Sequence, residues 1–214
     1  MKIEEYQSEV IAQGMKAFSE HETELQKLGY RIEVLDFRKP GSFWCALRMV
    51  FDDERGGRVY ISGDLGEAVV YPTCPATLKA MAMCFTSRNE KTGELRVNTE
   101  YFLEKVRCSS DRYEWSHELF REDFNERCRE REIILPEDYL EEHFDSYLAD
   151  IEVDDRRGVR ISGEAKDELE EQDHDYWKWL YDCGKRVSLR VILWLVAMRL
   201  AWEKVEKNES EVTK

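Results

Sequence analysis

The chain has 214 residues, 42 % hydrophobic and 12 % aromatic, so it can build a proper core by burying roughly 70 % of its unfolded surface. Charged residues make up 36 % and the formal net charge is −14, well beyond the ~25 % charged content of an ordinary domain. Large apolar residues nevertheless occur along nearly the whole length, which excludes general disorder.

Residues 3–28 predict a helix, because Ile3, Tyr6, Val10, Met15, Phe18, Leu25 and Leu28 give a helical apolar pattern and Gly29 follows as a stop. Short strands come next, at 31–37, 42–51, 58–62 and 67–71. The turn Lys39-Pro40-Gly41, the hairpin loop Asp52-Asp53-Glu54-Arg55-Gly56-Gly57 and the turn Gly63-Asp64-Leu65-Gly66 separate them. Close spacing of this kind favours an antiparallel meander over about residues 30–71. Beyond Pro72 and Pro75 the pattern turns helical, with candidates at 75–85, 98–107, 115–131, 137–148, 173–183 and 187–206. Pro136 marks a helix start and Gly184 a helix end. Strands first and helices afterwards predict an α+β fold with a mostly helical C-terminal half. Residues 1–214 read as a single α+β domain, with an acidic helical lobe at 111–175 and a polar loop around 150–172.

The apolar run 187–202 is interrupted by Arg190 and Arg199 and falls short of the ~20 residues that span a bilayer. A buried core helix is the expectation there, with no membrane contact. The N-terminal MKIEEYQSEV has acids and no apolar core, so no secretory signal is expected. Cys45, Cys74, Cys84, Cys108, Cys128 and Cys183 show no C-x-x-C spacing and read as reduced, buried thiols in a cytoplasm. The segment 58–64, RVYISGD, echoes 158–164, GVRISGE, too briefly to define a repeat.

The charge is unevenly placed. Residues 111–175 hold 24 acidic and 9 basic side chains, a net of −15, against +1 for the rest. Glu114, Glu118, Glu122, Glu126 and Glu130 recur every four residues, which places them along one helix face, with Phe120, Phe124 and Cys128 roughly opposite. Like charges at this spacing cost about 0.2–0.5 kcal/mol per pair, and Arg121, Arg127 and Arg129 offset only part of that through Glu118, Asp123 and Glu126. A second acidic element, Glu137, Asp138, Glu141, Glu142 and Asp145, follows. Such a field repels nucleic acid and attracts basic surfaces; it also serves plain solubility.

No catalytic or metal-binding motif is present, and His21, His117, His143 and His174 do not pair at metal-ligand spacing. Asp173-His174-Asp175 reads as a weak cation site or as the acidic opening of a helix. Asp64 and Glu67, beside Gly63 and Gly66, could hold Mg²⁺ at a sheet edge or simply form a turn. No cofactor is expected. The aromatic segment 175–181, DYWKWLY, suits core packing or a protein contact.

Two stretches, VYISGDLGEAV at 59–69 and DYWKWLYDCG at 175–184 leading towards Trp194 and Met198, resemble small acidic proteins carried by bacterial phages and prophages. The resemblance covers most of residues 40–205 and brings no catalytic assignment. It implies a setting in which small acidic proteins counter host defence, anti-CRISPR proteins among them. With the charge pattern, the expectation is a non-enzymatic inhibitor in the bacterial cytoplasm. Glu114, Glu118, Glu122, Asp123, Glu126, Glu130, Glu137, Asp138, Glu141, Glu142 and Asp145 would form its nucleic-acid-mimicking surface. Its partner would be a basic, nucleic-acid-binding defence nuclease, with no direct contact to nucleic acid. A metal-dependent nuclease or nucleotide-processing enzyme centred on Asp64 and Glu67, and a phage assembly or regulatory adaptor using the aromatic face of 176–202, are the other two readings.

Overall fold

The structure is a computed structural model and describes residues 3–54, 56–134, 151–154 and 158–212. The fold is α+β, as the element pattern predicts, and the chain forms two compact units.

The larger unit comprises Glu4–Arg112 and Ser188–Lys214. It opens with α1 (Ile3–Ala17) and continues through β1 (Glu22–Leu28), β2 (Ile32–Arg38), β3 (Leu47–Asp52), β4 (Arg58–Gly63) and β5 (Ala68–Val70). Then come α2 (Leu78–Phe85), a β6 (Thr86–Arg88) and β7 (Leu95–Val97) hairpin, α3 (Thr99–Lys105) and β8 (Val106–Ser109). Strands β1 to β5 form a continuous antiparallel meander, and β8 joins it beside β5 as a sixth strand. The sheet extends the predicted meander at both ends.

The predicted helix 3–28 stops at Ala17, and 22–28 is the edge strand β1, paired with β2 from Glu22↔Arg38 to Leu28↔Ile32. Strand pairing overrides a loose helical pattern here, since ETELQKL also alternates and β2 offers a full row of partners. Gly29 therefore serves a hairpin turn and not a helix end.

Inward-facing residues follow the period-two rule of a half-buried sheet. Leu35, Met49, Ile61 and Ala68 lie in one cross-strand row, and Phe51, Val59 and Val70 in the next; all are buried. The long helix that closes the unit is buried without a break from Val191 to Met198. Fully burying one such side chain stabilises by about 1.5–3 kcal/mol, against about 0–1 kcal/mol for an exposed ion pair. The sheet face and this helix, not the surface charges, hold the unit together. Arg199, which interrupts the apolar run, stays near the edge and meets Glu203 at 2.7 Å, and Arg88 reaches the same carboxylate. Burial would raise the Glu203 carboxyl, but the two guanidinium groups outweigh it and hold the carboxyl below its ordinary value. No described helix is long and apolar enough to cross a membrane.

The smaller unit is built on residues 113–187. Its elements are β9 (Tyr113–Trp115), α4 (His117–Glu130), β10 (Ile151–Asp154), β11 (Gly158–Ile161), α5 (Gly163–Gln172), α6 (Trp177–Leu180) and β12 (Lys185–Val187). The final helix of the chain, in the larger unit, is α7 (Leu189–Val212). Strand β9 pairs with β12, and β10 with β11. The predicted loop at 150–172 instead contains a hairpin and a ten-residue helix. Two well-placed apolar residues explain it: Val159 and Leu169 enter a core with Phe120, Phe124, Trp179 and Leu180. The predicted helix 173–183 contracts to α6, because i→i+3 bonds such as Cys183 N–H to the Leu180 carbonyl tighten the chain. The predicted helix 137–148 lies outside the described residues. Both copies of the 58/158 echo form a strand; the first then turns at Gly63, while the second runs into α5.

The predicted strand 42–51 begins only at Leu47. Gly63 shows why. It sits at φ 133°, and a Cβ there would stand 2.2 Å from the Ala46 carbonyl oxygen. The Gly63→Ala variant should therefore lose at least about 1–3 kcal/mol of stability. A lowered urea midpoint at unchanged slope is the expected result, and an unchanged midpoint would contradict the packing described.

Candidate functional site

The acidic face is built on α4. Ser116 caps the helix by accepting from the Leu119 N–H, and Phe120, Phe124 and Cys128 anchor its inner side. Burial pushes the Cys128 and Cys183 thiols up to about 12, so both stay protonated inside the core. All six cysteines are free; Cys45 is also buried, Cys74 and Cys84 are half-buried, and Cys108 is exposed, contrary to the uniform burial expected.

The eleven acids singled out by spacing divide into three groups. Glu118, Glu122, Glu126 and Glu130 are exposed on α4, one turn apart, as the period predicts. From first to last they cover about 18 Å of helix. Glu130 accepts from Arg127 at 3.0 Å. Glu114 and Asp123 have internal work. Glu114 lies in β9, not on the helix, and accepts from Arg186 at 2.9 Å across the ribbon. Asp123 accepts from the Gly184 N–H at 2.8 Å. Gly184 is at φ 71°, and a Cβ there would fall 2.7–2.8 Å from Phe120, so the glycine lets the ribbon close on α4 while Asp123 holds its amide. Glu137, Asp138, Glu141, Glu142 and Asp145 lie outside the described residues.

Asp173 is likewise structural. Its oxygens accept from the Trp179 indole at 3.0 Å, Arg131 at 2.9 Å and the Asp175 N–H at 2.9 Å. The Trp179 bond, opposed by burial and helped by the Asp175 amide and Arg131, holds its carboxyl below the ordinary value. A cation at Asp173-His174-Asp175 would have to displace these partners. Tyr176, Trp179 and Leu180 are core residues, and only Trp177 and Tyr181 of that aromatic segment are exposed.

In the larger unit, Asp64 serves the loop 42–46. One carboxylate oxygen accepts from the Cys45 N–H at 2.8 Å, and the Asp64 N–H donates to Ala46 at 3.0 Å. Cys45 has φ 55°, in the left-handed region that costs a non-glycine residue about 1–3 kcal/mol. Its carbonyl lies 3.3 Å from Nε2 of His21, which is 1 % exposed; Lys204 reaches the His21 carbonyl in turn. This framework holds up Phe43, 84 % exposed, beside Trp44, 61 % exposed. Sequence reasoning missed that display by reading 42–46 as strand. The available signal was the adjacent Phe-Trp pair after the turn residues Lys39-Pro40-Gly41, since any strand there would push one of the two aromatics into water. Among the described residues no three His, Cys, Asp or Glu side chains come together as a metal site.

Residues 113–187 carry 24 acidic and 11 basic side chains, a net of −13; residues 4–112 and 188–214 carry 22 and 20, a net of −2. The charge asymmetry therefore coincides with the boundary between the units.

Two measurements separate structural from surface carboxylates. Asp123→Ala leaves the Gly184 amide unpaired and should cost about 1–3 kcal/mol, whereas Glu118→Gln should stay within about 0.5 kcal/mol; equal effects in urea titrations would contradict the division. Burial, partly countered by the Cys45 carbonyl and reinforced by Lys204 and Lys39, lowers the His21 pKa. The unfolded chain protonates near pH 6.5 and the folded chain only at lower pH, so the stability linked to His21 is complete above about 6.5 and is lost as pH falls below it. Unfolding at pH 7.5 and 5.5 should show a smaller pH dependence for His21→Gln than for the parent; equal dependence would refute it. Against known proteins, the chain matches no family model, no curated protein and no solved structure.

Proposed function

We propose that the chain is a non-enzymatic binding protein whose acidic unit occupies the nucleic-acid groove of a basic partner, a defence nuclease of a bacterial host being the fitting class. The observation that carries this reading is the confinement of a −13 net charge to residues 113–187, with Glu118, Glu122, Glu126 and Glu130 exposed on one helix. Carboxylates there would stand in for phosphates against Lys and Arg. One α4 row places a charge every ~6 Å of rise, sparser than the ~3.4 Å of a single DNA strand. The row alone is thus a partial mimic, and the remaining acids of the unit must contribute. Arg121, Arg127 and Arg129 on the same helix dilute it further.

Of the two carboxylates that centre the enzyme reading, Asp64 has one oxygen engaged by the Cys45 amide, and Glu67 is exposed. The adaptor reading keeps Trp177 and Tyr181 as the exposed aromatics of its face 176–202.

The test uses tagged full-length chain in lysate of a defence-carrying bacterium. A basic nucleic-acid enzyme should be retained at low salt, released as salt rises, and displaced by DNA or guide RNA. Reversal of Glu118, Glu122 and Glu126 to Lys should abolish retention. Retention that survives the triple reversal, or a partner indifferent to salt, would defeat the proposal.

A further inference from the structure

The outward face of the larger unit's sheet carries a feature of the opposite sign. Strand β4 presents Arg58 and Tyr60, both exposed; Tyr71 follows β5, and Arg107 and Cys108 on β8 are exposed beside it. Register explains the grouping. Val59 pairs with Val70, which places Arg58 next to Tyr71, and the Tyr71 N–H donates to Lys105 at 2.9 Å. Between Val69 and Val70 the register slips: Val69 faces Cys108, but Val70 faces Val106. Arg107 is the extra residue of this bulge, and a bulge re-aims the side chain it carries. Its guanidinium stands 5.8 Å from the Tyr71 ring centre, and that of Arg58 stands 5.4 Å from it. Lys105, at the end of α3, stands 4.4 Å from the Tyr101 ring centre and is paired with Glu104.

Along the same strands runs an open groove of about 600 Å³, lined by Tyr60, Ser62, Glu67, Val69, Cys108 and Ser110. Its lining combines a Tyr ring and a valine with serine hydroxyls, a thiol and one carboxylate.

We propose that this sheet face binds single-stranded nucleic acid, with phosphates at Arg58 and Arg107 and a base against Tyr60 in the groove. Cations interleaved with rings on an open sheet suit this ligand, since phosphate attraction supplies affinity and every base has a face to stack. The average charge of the chain argues against nucleic acid, but that charge belongs to residues 113–187, and the unit bearing this face is close to neutral. Acids on this side include Asp52 opposite Arg58, Glu104 on Lys105, and Glu67 in the lining of the groove. They leave the Arg58–Tyr71–Arg107 group cationic. The inference is independent of the partner proposed for the acidic unit.

The experiment is fluorescence anisotropy with the full chain and labelled single-stranded DNA and RNA of about twelve nucleotides, alongside a matched duplex and a poly-glutamate peptide. Single strands should bind tightest. Arg58→Ala and Arg107→Ala should each weaken binding about tenfold and lower the salt slope by about one. Tyr60→Ala should weaken it about tenfold at unchanged slope, and Arg58→Lys should keep the slope. Melting curves check that each variant remains folded; the three alanine variants only shorten exposed side chains. Absence of binding by the parent, equal binding of duplex or acidic peptide, or affinity unmoved by the arginine and tyrosine variants would each overturn the proposal.

Discussion

Charge segregation is the constraint on which the smaller unit depends. Residues 113–187 must fold while carrying a net of −13, and a compact state with that excess repels itself. The structure offsets this by turning some carboxylates inward as hydrogen-bond acceptors. Asp123 holds the Gly184 amide, Asp173 gathers an indole, an amide and a guanidinium, and Glu114 crosses the β9–β12 ribbon to Arg186. Hydrogen bonds involving a charged group contribute about 1.5–3 kcal/mol, several times the cost of one like-charge pair on a helix. The acids of the α4 row instead lie on the exposed side of the helix, where Glu130 meets Arg127 at 3.0 Å.

The larger unit is stabilised differently. Its sheet buries one face under apolar helices and leaves the other to water. Strain is concentrated at the turn between β2 and β3, where Cys45 takes a left-handed conformation, Gly63 makes room for the Ala46 carbonyl, and buried His21 closes the network. The same sheet has a β-bulge at its opposite side, and there the departure from regular pairing redirects Arg107. In both places the irregular backbone, not the regular ladder, decides what is shown to solvent.

The α+β class, four of the strands and the amphipathic α4 were legible because each rests on local periodicity and turn residues. Strand β1 was not, because ETELQKL becomes a strand only when β2 lies beside it. The hairpin and helix between 151 and 172 were hidden by their polarity; Val159 and Leu169 suffice to anchor them only once a core from α4 and α6 exists. The acidic row was readable as a face, but spacing could not tell that Glu114 and Asp123 have internal partners. The basic-aromatic group was invisible because Arg58, Tyr71 and Arg107 are far apart in sequence and meet only through pairing and a register slip.

The most direct test of the central claim, that the exposed acids of α4 form a binding surface, is hydrogen-exchange mass spectrometry of the chain alone and with any protein that it retains at low salt. Slowed exchange over 117–130, with the 42–46 loop unchanged, is the predicted result. Protection confined to the 42–46 loop, with 117–130 exchanging as in the free chain, would contradict the account and leave those carboxylates as a solvated surface.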